Sequence, residues 1–290
     1  MKVRDALLTV FISIFANLPL GILYIFSGLL AFLLQHVFNY RRKVVAENLR
    51  LSFPEKDTKE INLIIGRFYR NLADLIVEII KSPKLSAREL EARVSLRNAQ
   101  LLDELYKENR SVFISLGHCG NWEWVGNRIA LILHHEGAAI YKPLRDKFFD
   151  DYMVGLRQKY KGTLMIDYKK VSRTLITLRM QKLGIFVLAD QSPARTEMDH
   201  FEEFLGRRTA FYDGMEKVAR AFDFAVVYLD VQRICRGRYE ASLVPITRSA
   251  KESPVGFVTG RYVNLLENTV RQQPDNWLWS HRRWKEKVTN

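Results

Sequence analysis

The chain has 290 residues, 48% of them hydrophobic, and carries 45 Lys and Arg against 32 Asp and Glu, a formal charge of +13. That length and apolar share support one large domain or two small ones with a proper core. Its two cysteines, Cys119 and Cys235, exclude a disulfide framework and a cysteine zinc set. The basic excess calls for an anionic partner: nucleic acid, a membrane surface, or a phosphorylated or acidic substrate.

From Ala6 to Tyr40 there is no charged residue. Pro19 divides this run. Leu20 to Phe38 is long enough to cross a bilayer, which takes roughly 20 apolar residues, and Ala6 to Leu18 is short. A signal peptide is the rival reading, but the run is too long for one and no clear cleavage site precedes the basic cluster. A buried core hairpin is the plain alternative. The expectation is a membrane anchor over residues 1–43, as one tilted helix or a re-entrant hairpin, followed by one large domain over 44–290. Lys2 and Arg4 precede the run, and Arg41, Arg42 and Lys43 follow it. The stronger downstream cluster puts the body in the cytoplasm.

Beyond the anchor there is no internal repeat, low-complexity tract or Gly/Ser linker. Residues 58–82 have apolar side chains at helical spacing. Strands are expected at 93–97, 111–117, 137–142, 163–167, 184–189, 224–233 and 239–246, and helices at 98–108, 122–135, 146–160, 170–182, 213–222 and 256–273. The runs at 112–116 and 185–189, apolar apart from Ser115, suggest strands covered on both faces. The fold class is therefore α/β: a single domain with a mainly parallel central sheet flanked by helices, plus the N-terminal hydrophobic segment.

The stretch ISLGHCGNWEW, residues 114–124, ends a buried strand on a histidine. On one continuous helix His118 and Glu123 would stand about 140° apart and never meet. If His118 ends the strand and Glu123 lies in the first turn of the next helix, they can. Gly120 permits the turn, Asn121 is a good N-cap, and a first-turn glutamate suits the helix dipole. Open α/β sheets bind ligands beyond the carboxyl ends of their strands. A histidine oriented there by a carboxylate is a general base for a hydroxyl. The other reading of this spacing is a structural histidine followed by an ordinary capping glutamate. Asp190 also follows a buried apolar strand and is a rival carboxylate for His118, instead of or beside Glu123. Cys119 adjoins His118, but neighbouring side chains diverge at a strand end, so a buried filler fits it better than a nucleophile.

The stretch GHCGNWEW, residues 117–124, resembles the catalytic block of the bacterial lipid A late acyltransferases, the lauroyl/myristoyl transferase family. Five further blocks in the same order are similar to that family: YRRKVVAENLRLSFPE (40–55), YKPLRDKFFDDYMVGLRQKYKGTLMI (141–166), LADQSP (188–193), FLGRRTAFYDG (204–214) and PDNWLWSHRRWK (274–285). The resemblance implies transfer of a fatty acyl chain from a thioester donor, acyl carrier protein or acyl-CoA, to a hydroxyl of an anionic lipid A precursor. It implies work at the cytoplasmic face of the bacterial inner membrane, with no metal and no cofactor. It makes His118 the base and Glu123 its motif carboxylate, and it leaves Asp190 as the rival. N–H groups near Gly120 and Asn121 become candidates for the oxyanion. Arg157 and Arg207 become candidates for an acceptor phosphate or, for Arg157, the oxyanion. Arg282 and Arg283 lie between Trp277, Trp279 and Trp284, where aromatics and cations gather at a membrane interface and arginine grips phosphate with two bonds. All five tryptophans fall in the His118 block or the terminal block. That clustering suggests a shared floor beneath the site, with Trp122 and Trp279 among the substrate-binding residues. The alternatives are the same chemistry on a lysophospholipid or aminolipid, a thioesterase, or a non-catalytic lipid-binding membrane protein. Nucleic-acid binding has no motif to support it.

Overall fold

A computed structural model describes residues 3–193, 198 and 200–284. Lys2 of the upstream basic flank and Lys285, the last residue of the terminal block, lie outside the described residues. Seven strands form one sheet in the order β1-β9-β8-β2-β5-β3-β4. They are β1 (Val94–Arg97), β2 (Val112–Leu116), β3 (Glu136–Tyr141), β4 (Leu164–Asp167), β5 (Leu183–Leu188), β8 (Ala225–Cys235) and β9 (Arg238–Thr247). Every pairing is parallel except the β8–β9 hairpin. The alternation of short apolar runs with helical segments thus yields the mainly parallel sheet that it implies. β2 lies at the centre with all five residues buried, which is why it reads VFISL with no polar alternation.

The hairpin of β6 (His200–Phe204) and β7 (Arg207–Phe211) stands apart as a second, two-stranded sheet. It was not among the expected strands. Leu205 and Gly206 form its two-residue turn with φ of +54° and +69°, the left-handed pair that a tight hairpin requires. The helix expected over 170–182 is shorter, ending at Thr177. Two further helices, α3 (Arg42–Ser52) and α5 (Ala87–Arg93), also lie outside the expected set, and α6 (Gln100–Lys107) falls within the one expected over 98–108.

The uncharged N-terminal run forms two helices, α1 (Val3–Asn17) and α2 (Leu20–Phe32), with a π-helical turn over Leu33–Val37. Both pack on α4 (Thr58–Lys81). This long amphipathic helix starts from a capping box in which Asp57 and Glu60 satisfy each other's backbone N–H. Contacts of Tyr24 with Glu78, and of Ser27 with Asp74, run α2 antiparallel to α4. Glu78 is fully buried. Its carboxylate accepts bonds from Tyr24 Oη at 2.8 Å, Asn121 Nδ2 at 2.8 Å and Tyr239 Oη at 2.7 Å. Burial raises its pKa above the ordinary glutamate range, and the three donors act against that rise.

Candidate active site

The register of two adjacent strands builds the site. Leu116 at the end of β2 pairs with Leu188 at the end of β5. Two residues further on, His118 and Asp190 leave the sheet side by side at its carboxyl edge. Neighbouring strands are about 4.8 Å apart, so the two side chains meet. His118 Nδ1 lies 2.6 Å from Asp190 Oδ1, and the His118 backbone N–H donates to Asp190 Oδ2 at 2.8 Å. Trp277 Nε1 donates a third bond to Oδ2, also at 2.8 Å. Burial alone would raise the Asp190 pKa. The charge of His118 and these three bonds outweigh burial and hold it at about 2.

The spacing reading gives His118 to Glu123, but the folded chain gives it to Asp190. Glu123 sits in the first turn of α7 (Trp122–Ile132), as expected. There, however, both its oxygens bond Arg157, at 2.6 and 3.0 Å, and Trp122 Nε1 adds a bond at 3.1 Å. Burial works against the Arg157 charge, but the Glu123 carboxylate prevails and the Arg157 pKa is raised. Arg157 is therefore a fixed ion-pair partner rather than a free cation on a helix face.

Gly120 makes the turn at φ +56°. Its N–H donates to the Asn276 carbonyl at 3.0 Å, so it is not a free oxyanion donor as expected. A Cβ here would come 3.1 Å from both Tyr239 and Val231. Gly120→Ala is expected to cost about 1–2 kcal/mol for the left-handed backbone alone, read as a lower denaturation midpoint. Asn121 caps α7 by accepting from Trp124 N–H at 2.9 Å, and it is fully buried with its amide on Glu78. It holds the loop and does not face a ligand. Cys119 is buried and its thiol is pushed well up, by burial first and then by Asp190 and Asp230, which leaves it a poor nucleophile.

The two tryptophan blocks do converge. Trp122 meets the His118 ring edge-on with centroids 4.8 Å apart. Trp277 lies under Asp190, and Cys119 and Trp277 form an antiparallel bridge. The other terminal residues depart from expectation. Trp279 is fully buried against Trp277 and Phe53, a core residue out of reach of a substrate. Arg283 is 2% exposed; it donates to the Ala210 carbonyl at 2.6 Å and lies over the Phe211 ring. Burial drops its pKa to about 10, with Asp190 and Tyr262 opposing. It straps the C-terminal segment onto β7 rather than presenting a phosphate fork. Arg207 lies over the Trp284 ring at 4.1 Å, and Arg282 is exposed. Arg41 and Asn48 donate to the carbonyls of Ser280, Trp279 and His281, so blocks from opposite ends of the chain are knitted together behind the site.

Two clefts flank Trp122. One is lined by His118, Trp277 and the α4 residues Phe68, Leu72 and Leu75. The other is an apolar recess of Leu116, Ala139, Ile140, Phe186 and Leu188, with Glu123 and Arg157 in its wall.

The sequence profile described as bacterial lipid A biosynthesis acyltransferase matches residues 3–286. Two proteins of Shigella flexneri are similar over most of their length. One, a lipid A biosynthesis acyltransferase, is 21% identical over 94% of this chain and 88% of its own. The other, lipid A biosynthesis acyltransferase 2, is 20% identical over 86% and 79%. The crystal structure of a 1-acyl-sn-glycerophosphate acyltransferase from Thermotoga maritima is also similar, at 13% identity and a TM-score of 0.41 over 88% of this chain and 96% of that one. The profile match runs through every block that surrounds the histidine, so the chain belongs to the bacterial lipid A biosynthesis acyltransferase family, enzymes that transfer an acyl group onto a lipid.

Proposed function

We propose that the protein moves a fatty acyl chain from a carrier thioester to a hydroxyl of a lipid A precursor, with His118 as general base and Asp190 as its partner. The observation that carries this reading is the pair itself. Asp190 occupies Nδ1 and holds the imidazole so that Nε2 faces the cleft, with the Gln191 amide 3.5 Å away. Nε2 takes the proton of the acceptor hydroxyl, and its oxygen bonds to the thioester carbonyl carbon. The tetrahedral oxyanion collapses by breaking the C–S bond, and the thiolate recovers the proton from the imidazolium. Asp190 stabilises that imidazolium. The first-turn N–H groups of α7, at Trp122 and Glu123, have no intrahelical partner and are the oxyanion donors in this scheme. The apolar recess beside Trp122 takes the acyl chain.

The reaction belongs at the cytoplasmic face of the inner membrane, with the apolar N-terminal helices as anchor. Acyl carrier protein is the donor. Residues 141–182 hold eleven Lys and Arg against four acids. Lys142 and Lys169, at the carboxyl ends of β3 and β4 on the same edge as His118, stand over the Tyr168 ring at 5.7 and 5.8 Å. This basic edge suits an acidic carrier. Lys169→Glu with Lys170→Glu is expected to raise KM for the carrier-bound donor and leave the CoA-bound donor unchanged. Equal effects on both donors, measured in initial-rate assays, would remove the carrier from this edge.

The reading is tested by mass spectrometry of lipids after incubating the membrane-bound protein with acyl carrier protein thioesters and a lipid A precursor. An added acyl mass that His118→Ala abolishes supports it. A heavier lysophospholipid or aminolipid instead keeps the chemistry and replaces the acceptor. Identical lipids from wild type and variant refute His118 as the base.

A further inference from the structure

By length and hydropathy the stretch Leu20–Val37 qualifies to cross a bilayer. Its contacts argue otherwise. The two helices are held to charged residues of the body at their start, bend and middle, and by hydrogen bonds just past their end. Arg4, at the start of α1, pairs with Asp146 at 2.6 Å. Lys81, at the end of α4, donates at 2.9 Å to the Ala16 and Leu18 carbonyls, where α1 gives way to α2. Near the middle of α2, Ser27 bonds Asp74, and Arg236 reaches the Tyr24 carbonyl, Ser27 Oγ and Asp74. Past the π-helical turn, Tyr69 Oη donates to the Tyr40 carbonyl at 2.6 Å and Arg41 to the Ser280 carbonyl at 2.9 Å.

If α2 crossed the bilayer, α4 would have to lie beside it at the same depth. Ser27 is close to the centre of the stretch, so Asp74 and the two arginines paired with it at 2.6 Å, Arg233 and Arg236, would sit near the mid-plane. Charged side chains at that depth are strongly disfavoured. Lying flat removes that cost. The buried face of α2 is Leu20, Leu23, Ser27 and Ala31. On the opposite face Ile25, Leu29 and Phe32 are exposed at i, i+4 and i+7, and α1 exposes Leu7, Phe11 and Ile14 with the same spacing.

We infer that α1 and α2 lie flat in a single leaflet, outward faces in lipid and inward faces on the body, so that Arg4 and the catalytic domain are on the same side of the membrane. This rests on the membrane location proposed above and specifies its geometry. The occupant is an anionic lipid leaflet rather than a second copy. The helices lead into Arg41, Arg42, Lys43 and Arg50, which line one open groove with Glu47 as its single acid. Basic residues just outside the apolar layer are attracted by anionic headgroups. A second copy would bring the same cations against them.

The test uses the full chain with Cys235→Ser, which removes its exposed thiol. In intact spheroplasts a membrane-impermeant maleimide should fail to label Val3→Cys and should label it after lysis, as it does a cysteine at exposed Lys251. Labelling of Val3→Cys from outside, with the Lys251 position protected, overturns the flat arrangement and leaves the membrane location standing. In vesicles of phosphatidylethanolamine and phosphatidylglycerol carrying brominated acyl chains, bimane on Ile22→Cys and on Phe32→Cys should report the same depth. A spanning helix would separate them by ~15 Å. No association with the vesicles overturns the location and the arrangement together. An Ile25→Cys probe that crosslinks to a second chain and escapes quenching by lipid assigns the face to self-association and also overturns the inference.

Discussion

His118→Ala is expected to lower turnover about 10²–10⁴-fold, the usual contribution of a positioned base, while circular dichroism and the melting transition stay close to wild type. The ring sits at the rim of the cleft and contributes little core volume. Asp190→Asn is expected to be at least as damaging for a different reason. Asp190 accepts three N–H donors: two from His118 and one from Trp277. An amide offers one oxygen, so its NH2 must face a donor or the imidazole must change tautomer. In a comparable carboxylate–histidine pair the amide costs about 10⁴ in kcat. The pH dependence follows from the same contacts. The folded Asp190 pKa, about 2, lies below the unfolded value of roughly 3.9. The pair therefore contributes its stability, of order 2 kcal/mol, fully above pH 4 and loses it as the pH falls from about 4 to about 2. Asp190 stays ionised through the neutral and mildly acid range. A variant Asp190→Asn that keeps wild-type kcat would refute the partnership.

Arg157→Ala should destabilise the protein by about 3–5 kcal/mol, the range for removing one member of a buried ion pair. Glu123 is 5% exposed, and without Arg157 the side-chain bond left to it among the described residues is the one from the Trp122 indole N–H. The double change Glu123→Leu with Arg157→Leu should recover most of that loss in a urea titration, because no buried charge is then stranded. Its activity separates two roles. If Arg157 serves only to hold the start of α7, the double variant should keep much of its kcat. If the guanidinium also meets the reacting groups, stability should return without activity. A single Arg157→Ala variant as stable as wild type would show that the pair carries no structural weight.

Strand periodicity made the central sheet legible. β2 and β5 read as buried runs because both faces are covered; the one polar side chain in them, Ser115, donates to the Val227 carbonyl. The β6–β7 hairpin was less legible because His200–Phe204 and Arg207–Phe211 carry charges among their apolar residues and lack a long apolar run. At the site, His118 was legible as a strand-end histidine and Asp190 as a rival carboxylate after a second apolar strand, but the choice between Asp190 and Glu123 was not. Spacing along the chain favours Glu123, five residues away, whereas Asp190 is 72 residues away and arrives through the register of Leu116 on Leu188. A register between parallel strands leaves no local mark in either strand. Arg283 and Trp279 failed as ligand candidates for a related reason. A tryptophan–arginine cluster reads the same whether it faces a membrane or is buried under a strap, and only the contacts to Ala210, Phe211 and Phe53 tell the two apart.

Glu78 gives the molecule a mechanical connection. One oxygen holds Tyr24 on the apolar helix, and the other holds Asn121 at the hinge of the reacting loop. The stiffness of that loop is thus borrowed partly from the seating of α2. A solvent that peels α2 away would strip a donor from a buried acid and slacken the far end of the same linkage. Turnover should then fade before the sheet melts, with His118 itself untouched.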